Sequence, residues 1–310
     1  MTDATTFEAH RPALFGLAYR MLGSAGEAED VLQDAFLRVH TAAPDDVRAP
    51  MAYLRTIVTR LCLDRLKAAR ATREQYPGPW LPEPLLTAPP SADPQHAAEQ
   101  HESITLAFLV LLEALTPQER AVLLLREVFG YEYAEIAEIL QLNTANCRQV
   151  LHRAKGHLAG HRRRFEVATA QHHTLVARFL AATEQGDVAA LAQVLAEDAT
   201  LWSDGGGKVP APRKPVVGRA TVANVLLFFA TRIADELGDA RDTFRPTVAY
   251  VNAELAIVVW TQEHIDSVIV FTVEGEQITA LRLIRNPEKL WYIARQLRPD
   301  TSVLGASSAS

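Results

Sequence analysis

Apolar residues recur at helical spacing through the first half of the chain, and each run has a start or stop signal. Phe7, Leu14, Leu17, Ala18 and Met21 predict a first helix that ends at Leu22-Gly23. Ser24-Ala25-Gly26-Glu27 has the residues of a capping box and starts a second helix to about His40. Its inner stripe is Ala28, Val31, Leu32, Ala35 and Val39. Glu27, Asp30, Asp34 and Arg38 take the opposite face, with Gln33, Phe36 and Leu37 at the margins. After a loop over Pro44 to Pro50, Leu54, Ile57, Val58, Leu61 and Cys62 bury one side of a helix running from Met51 to about Arg73.

The stretch from Thr116 to Leu158 predicts three more helices. Thr116-Pro117-Gln118-Glu119 combines a capping box with Pro at the first helical position. The apolar helix that follows stops at Phe129-Gly130. Tyr133 to Leu140 forms the next helix, Gln141-Leu142-Asn143 a short turn, and Thr144 to about Ala159 the last, with Asn143 as its N-cap. Cys147, Leu151, Ala154 and Leu158 make the buried stripe of that last helix, which leaves Ala145, Arg148, Gln149 and His152 outward, flanked by Asn146 and Arg153. This is the pattern of a helix-turn-helix, whose second helix reads base edges. Arg and Gln suit guanine and adenine; a helical hairpin with a solvated basic face is the plainer alternative. Gln141 stands where such turns usually carry Gly, at about 1 kcal/mol if the backbone there is left-handed.

Composition narrows the class. The 310 residues leave room for two or three domains, and 48% hydrophobic with 22% charged residues is an ordinary globular balance. No apolar run approaches a membrane helix and no signal segment opens the chain, so a cytoplasmic protein is expected. Cys62 and Cys147 read as small core residues in a reducing compartment.

The net charge of −6 disagrees with a DNA-reading helix. Residues 1 to 165 hold 18 Lys and Arg against 20 Asp and Glu. Positive charge instead collects in two stretches. Arg48, Arg55, Arg60, Arg65, Lys67, Arg70 and Arg73 face one acid, Asp64, which can pair with Arg60 or Lys67. Between Gln141 and Phe165 there are Arg148, Arg153, Lys155, Arg162, Arg163 and Arg164 and no acid. Weak DNA affinity alone, with a larger partner that brings DNA close, is the expectation.

At these residues a family resemblance enters. Gly26 to Val39 and Leu61 to Arg70 resemble region 2 of an extracytoplasmic-function (ECF) sigma factor, and Thr116 to Leu158 resembles its region 4. The resemblance implies that Asp30, Gln33, Asp34 and Phe36 grip the β′ coiled coil of core RNA polymerase. It implies that Arg55, Arg60, Asp64, Lys67 and Arg70 meet the −10 element. Asn146, Arg148, Gln149, His152, Arg153 and Lys155 would meet the −35 element, and region 4 would also meet the β flap.

Between these modules, Glu74 to about Ala98 is dense in Pro and cannot form a helix. Its apolar cluster, Trp80-Leu81-Pro82-Glu83-Pro84-Leu85-Leu86, would be costly to leave in water, so Trp80 is expected to dock onto another domain. After Arg164, helices are expected over Leu175 to Thr183, Val188 to Ala196 and Gly218 to Arg232. Strands are expected over Thr200 to Trp202, Thr247 to Val251, Leu255 to Trp260, Ile265 to Val273 and Gln277 to Arg285. Helices and then consecutive antiparallel strands predict an α+β domain. It resembles a SnoaL-like domain of the nuclear-transport-factor-2 (NTF2) superfamily, a cone that often holds a pocket.

A narrower resemblance, to the SigJ-like group of ECF sigma factors with such a fused domain, rests on three stretches. They are Trp80 to Pro84, Asp204-Gly205-Gly206-Gly207-Lys208, and Asn286-Pro287-Glu288-Lys289-Leu290. It implies a built-in regulator that contacts the sigma modules, and no separate anti-sigma factor. Lys208 could pair with an acid such as Glu83.

The expected organisation is therefore multidomain. Two all-α sigma modules come first, region 2 over 1–75 and region 4 over 101–165, joined by a Pro-rich linker over 76–100. The SnoaL-like domain follows over 173–298, then a flexible tail over 299–310. Two rival functions stay open: a one-component helix-turn-helix regulator with a small-molecule-binding domain, and a SnoaL-like enzyme using Asp204, His264 or Asp266 as base. Charged residues near a turn, as His264 and Asp266 are, are normally solvated, and Asp204 to Lys208 lacks the rest of a P-loop. His157 and His161 have no acidic or Cys neighbour to complete a metal site. No cofactor, metal or membrane is expected, and no catalysis.

Overall fold

The computed structural model describes residues 4–42, 49–88, 104–158, 170–238, 244–262 and 264–297. Two compact units partition the chain in an interleaved way. One comprises Met1–Gln75 with Phe108–Arg163, the other Tyr76–Ala107 with Arg164–Ser310. The first holds both helical modules. The second holds the Pro-rich segment together with the C-terminal residues.

In the helical unit, α1 (Ala4–Leu22), α2 (Ala25–Ala42) and α3 (Pro50–Glu74) pack together. Their core is Leu14, Leu17, Tyr19, Val31, Leu32, Leu54 and Val58. The Ser24 hydroxyl accepts from Glu27 N–H at 3.1 Å, as the cap signal predicts. A helix without a counterpart in the expected elements, α4 (Leu106–Leu112), lies before the Thr116 cap. Its last residues and the next helix, α5 (Pro117–Leu123), enter the unit. The capping box of α5 is complete, with Thr116 and Glu119 each bonded to the other's backbone. Burial of the Glu119 carboxyl opposes ionisation, yet the Thr116 N–H and hydroxyl, with His157 and Arg153, hold it below the ordinary range.

The chain then leaves the α-helical path. Leu124–Val128 is a π turn, in which Phe129 N–H reaches Leu124 O at 3.0 Å. The wide turn tucks Tyr131 inward, 6% exposed. Helices α6 (Tyr133–Leu140) and α7 (Thr144–Leu158) complete the helix-turn-helix. Asn143 caps α7 through Asn146 N–H at 2.7 Å. Gln141 closes α6 at φ 56° and ψ 44°, the strained left-handed conformation considered for it.

The second unit is a six-stranded sheet in the order β2-β1-β6-β5-β4-β3. Its strands are β1 (Leu195–Asp204), β2 (Val216–Val217), β3 (Arg245–Val251), β4 (Glu254–Thr261), β5 (His264–Glu274) and β6 (Gln277–Ile284). Strands β3 to β6 run antiparallel in sequence, as expected, whereas β1 joins β6 in parallel. Helices α8 (Ala170–Gln185), α9 (Val188–Val194) and α10 (Arg219–Leu237) supply Val176, Phe179, Leu191, Val222 and Leu226 to the core under the sheet. A further helix, α11 (Pro287–Gln296), starts at the Asn286 cap and packs on β5. This is an α+β domain, as the SnoaL-like resemblance implies.

Among the described residues no helix is long and apolar enough to cross a membrane. The side chain of Arg70, the residues Arg162, Arg163, Arg164 and His161, and the tail over 299–310 lie outside what is described.

Because Gln141 has φ 56° and is exposed, Gln141→Gly should raise the stability of the helical unit by about 0.5–1 kcal/mol in a urea titration. An unchanged or lower midpoint would count against strain at this turn.

Candidate functional site

The outer face of α7 comes first. Cys147, Val150, Leu151 and Ala154 are buried, and this leaves Arg148, Gln149, His152, Arg153 and Lys155 exposed with Asn146 half-buried. Asn146, Gln149, His152 and Arg153 line one shallow surface groove. Arg148 lies 4.9 Å over the Tyr133 ring and Lys155 reaches Glu127 at 3.0 Å, so both extend across α7's neighbours.

On α2, Asp30 and Gln33 are exposed and Asp34 half-exposed. Arg65 of α3 bridges the two carboxylates, at 2.8 Å from Asp34 and 3.4 Å from Asp30. Phe36 is less exposed than its place on the helix margin suggests. Its ring meets Phe7 edge-on at 5.3 Å and stacks on His40, while Leu37 stays 54% exposed. On α3, Asp64 pairs with Lys67 at 3.8 Å and both are open to solvent. Arg60 turns away from Asp64 to the Ile139 carbonyl at 3.0 Å, and Arg55 donates to the Tyr131 hydroxyl at 2.9 Å.

The third site lies within the sheet unit, where the three stretches singled out in the sequence converge. β1 delivers Asp204, buried at its end. Its carboxylate accepts from Tyr76 Oη at 2.6 Å, Leu81 N–H at 2.8 Å, Gly206 N–H at 3.0 Å and Lys289 Nζ at 2.7 Å. Lys289 also donates to Leu81 O, and its ammonium sits 4.1 Å from the Trp80 ring centroid and 5.0 Å from that of Tyr76. Asn286 donates to Tyr76 Oη at 3.0 Å. Burial, reinforced by the neighbouring carboxylate, pushes the Tyr76 hydroxyl well up.

The glycines are what allow this approach. A Cβ on Gly205 would stand 2.4 Å from Val209 O, and one on Gly206 would stand 2.3 Å from the Asn286 amide. Leu81, Pro82, Glu83, Pro84 and Leu85 are all buried, so the Pro-rich segment is docked as its apolar residues predict. One pairing differs: Lys208 bonds Glu288 rather than Glu83, because Gly206 and Gly207 turn it toward α11. Lys289 supplies the charge at the centre, and Pro287 and Leu290 start the helix that carries it.

A second anchor holds the far end of the segment. Asn252 and Ala253, both at positive φ, form the tight β3–β4 turn. Asn252 exchanges hydrogen bonds with Leu85 N–H at 2.9 Å and Ile104 O at 2.9 Å. Glu254 accepts from Leu106 N–H at 2.8 Å and so caps α4. Burial pushes its carboxyl up, opposed by Arg282, the Leu106 and Ala107 amides and Thr272. Neither residue carried a sequence signal beyond the turn itself.

Within the sheet unit a cavity of about 50 Å³ is lined by Phe179, Leu226, Phe229, Ser267, Ile269 and Arg285 among others. None of the three candidate bases lines it. Asp204 is engaged with the segment, Asp266 pairs with Arg285 at 3.2 Å, and His264 is exposed at the start of β5. Among the described residues no cluster of three His, Cys, Asp or Glu side chains is arranged to hold a metal ion.

A helical unit with basic residues on α3 and α7, in a chain that also folds an α+β unit, is the make-up of a transcription initiation factor of the sigma type. The model of Sigma-70 region 2 matches residues 6–72, and that of Sigma-70, region 4 matches residues 105–158. The chain is 33% identical to the ECF RNA polymerase sigma factor SigJ of Mycobacterium tuberculosis, over 93% of each chain. It is 31% identical to the Probable ECF RNA polymerase sigma factor SigI of the same species, over 93% of this chain and 94% of the other. The crystal structure of M. tuberculosis SigJ superposes with a TM-score of 0.71 at 31% identity, covering 93% of this chain and 98% of that one. The chain belongs to the ECF RNA polymerase sigma factors.

Two outcomes test these contacts. Lys289→Ala leaves Asp204 buried without its cation and should destabilise the sheet unit by about 3–5 kcal/mol, whereas Asp204→Leu with Lys289→Met should recover most of that loss. Calorimetry on the full chain decides; equal losses in both variants would show the pair to be incidental. Glu254→Ala should raise amide exchange at Leu106 and Ala107 about tenfold, the loss of one helix cap, and leave Leu81 unchanged.

Proposed function

We propose that this ECF sigma factor joins core RNA polymerase in the cytoplasm and directs initiation at promoters spanned by both helical modules. Asp30, Gln33, Asp34 and Phe36 grip the β′ coiled coil, and region 4 meets the β flap. Arg55, Arg60, Asp64, Lys67 and Arg70 act at the −10 element, and Asn146, Arg148, Gln149, His152, Arg153 and Lys155 at the −35 element. The C-terminal domain regulates in cis, without a separate anti-sigma factor, by holding the segment that joins the modules. The observation that carries this is the capture of Tyr76, Trp80 and Leu81 around the buried Asp204–Lys289 pair.

The C-terminal domain acts as a regulator and not as a catalyst, a reading supported by a cavity that holds none of the candidate bases. A small-molecule effector bound in this cavity would need it to widen, since ligand sites usually offer about 300 Å³ or more.

Deleting residues from Val167 onward and measuring promoter-specific transcription with core enzyme tests the cis reading. Output should change markedly; unchanged output sinks it. A gel shift separates a sigma factor from a one-component regulator: retardation should require core polymerase, because the chain carries net charge −6.

A further inference from the structure

Among the described residues, hydrogen bonds and ion pairs of four arginines tie region 2 to region 4 inside the helical unit, and they fall into two groups. At one end, Arg120 of α5, 3% exposed, donates to Met21 O at 2.8 Å and to Glu113 at 2.7 Å. Arg73 of α3 donates to Leu22 O at 2.8 Å and pairs with the same Glu113. None of these groups is a candidate for DNA. At the other end the two arginines are Arg55 and Arg60, both assigned to the −10 element.

Region 4 receives these two with a fitted surface. Arg55 donates to Tyr131 Oη at 2.9 Å, and its guanidinium lies 5.3 Å over the Tyr131 ring. Tyr131 is held in turn: its N–H reaches Leu125 O through the π turn at 2.9 Å, and its carbonyl accepts from Arg126 at 2.7 Å. Arg60 donates to Ile139 O at 3.0 Å and to Glu138 O at 3.4 Å. Those carbonyls end α6, where the helix dipole is negative and the backbone breaks at left-handed Gln141. An aromatic ring and a negatively polarised cluster of oxygens are what a nucleotide base and a phosphate offer an arginine.

We infer that region 4 masks region 2's −10 surface by taking Arg55 on Tyr131 and Arg60 on the last carbonyls of α6, so that single-stranded DNA and region 4 compete for the same two guanidinium groups. The inference rests on the −10 role proposed above for these arginines. Arg120, Arg73 and Glu113 keep the modules together at the other end. The free chain then binds DNA only in the fraction of molecules whose masked end is open, and its apparent affinity falls by that fraction.

The test uses the full chain without polymerase. Tyr131→Phe removes one hydrogen bond and keeps the ring; Tyr131→Ala removes both. Anisotropy with a fluorescent single-stranded DNA 20-mer of mixed sequence should tighten about two- to fivefold for the first variant and about tenfold for the second. Phenylglyoxal should modify Arg55 and Arg60 faster in both variants, with Arg120 as slow as before. Promoter opening by the assembled holoenzyme should be the same for wild type and both variants, since Tyr131 is not among the residues proposed to meet either promoter element.

Wild-type affinity in Tyr131→Phe and Tyr131→Ala, with Arg55 and Arg60 more reactive, would overturn the competition. Unchanged reactivity in both variants would overturn the mask. The −10 assignment is checked separately by Arg60→Ala in holoenzyme. Undiminished promoter opening there removes that assignment, and the mask with it, whatever the Tyr131 variants do.

Discussion

The buried pair of Asp204 and Lys289 is the constraint on which the C-terminal half depends. Taking two charges out of water is expensive, and their attraction offsets this only when every remaining donor and acceptor is satisfied. Here the missing partners come from a distant part of the chain: Tyr76 Oη and Leu81 N–H for the carboxylate, Leu81 O and two aromatic faces for the ammonium. The segment is thus the missing wall of the site. Its docking and the ion pair stabilise each other, so a partly released segment is unfavourable. That gives an all-or-none character to the contact that the cis reading makes regulatory.

The helical unit adds a second means of holding charge. Arg60, Arg73 and Arg120 donate to carbonyl oxygens at helix ends, Ile139, Leu22, Met21 and Leu112, and the last two arginines also pair with Glu113. An acidic chain has little bulk attraction for DNA, so the promoter contacts proposed above rest on geometry at two short surfaces. That is consistent with an ECF sigma factor.

Local signals were legible and distant partners were not. The Ser24 hydroxyl cap, the capping box at Thr116, the Asn143 cap and the strain at Gln141 depend on residues within four positions, and each is found in the structure. The docking of Trp80 was also legible, because an apolar cluster among prolines has no local way to leave water. The identity of its partners was not: Lys208 and Lys289 are both cations in singled-out stretches, and only the turn of the glycines decides which faces Asp204. Helix α4 was missed because its cap is Glu254, 148 residues away. The parallel pairing of β1 with β6 was missed because alternation along a strand reports burial, not its neighbour. Phe36 looked exposed for want of Phe7, and Tyr131 carried no signal, since a π turn has no sequence period of its own.

The interleaving of the two units has a consequence for how the protein is made. Everything needed for the helical unit has left the ribosome once residue 163 has emerged. The segment at Tyr76 to Leu86 is by then already synthesised, but Asp204, Asn252 and Lys289 are not. At ordinary elongation rates, roughly 5–20 residues per second, the interval until α11 appears is several seconds or more. During it the nascent chain is a sigma pair with an unrestrained joint and an exposed Trp80. Each molecule therefore passes once, at birth, through the state that deletion of the C-terminal domain would make permanent, the one without the cis control proposed above.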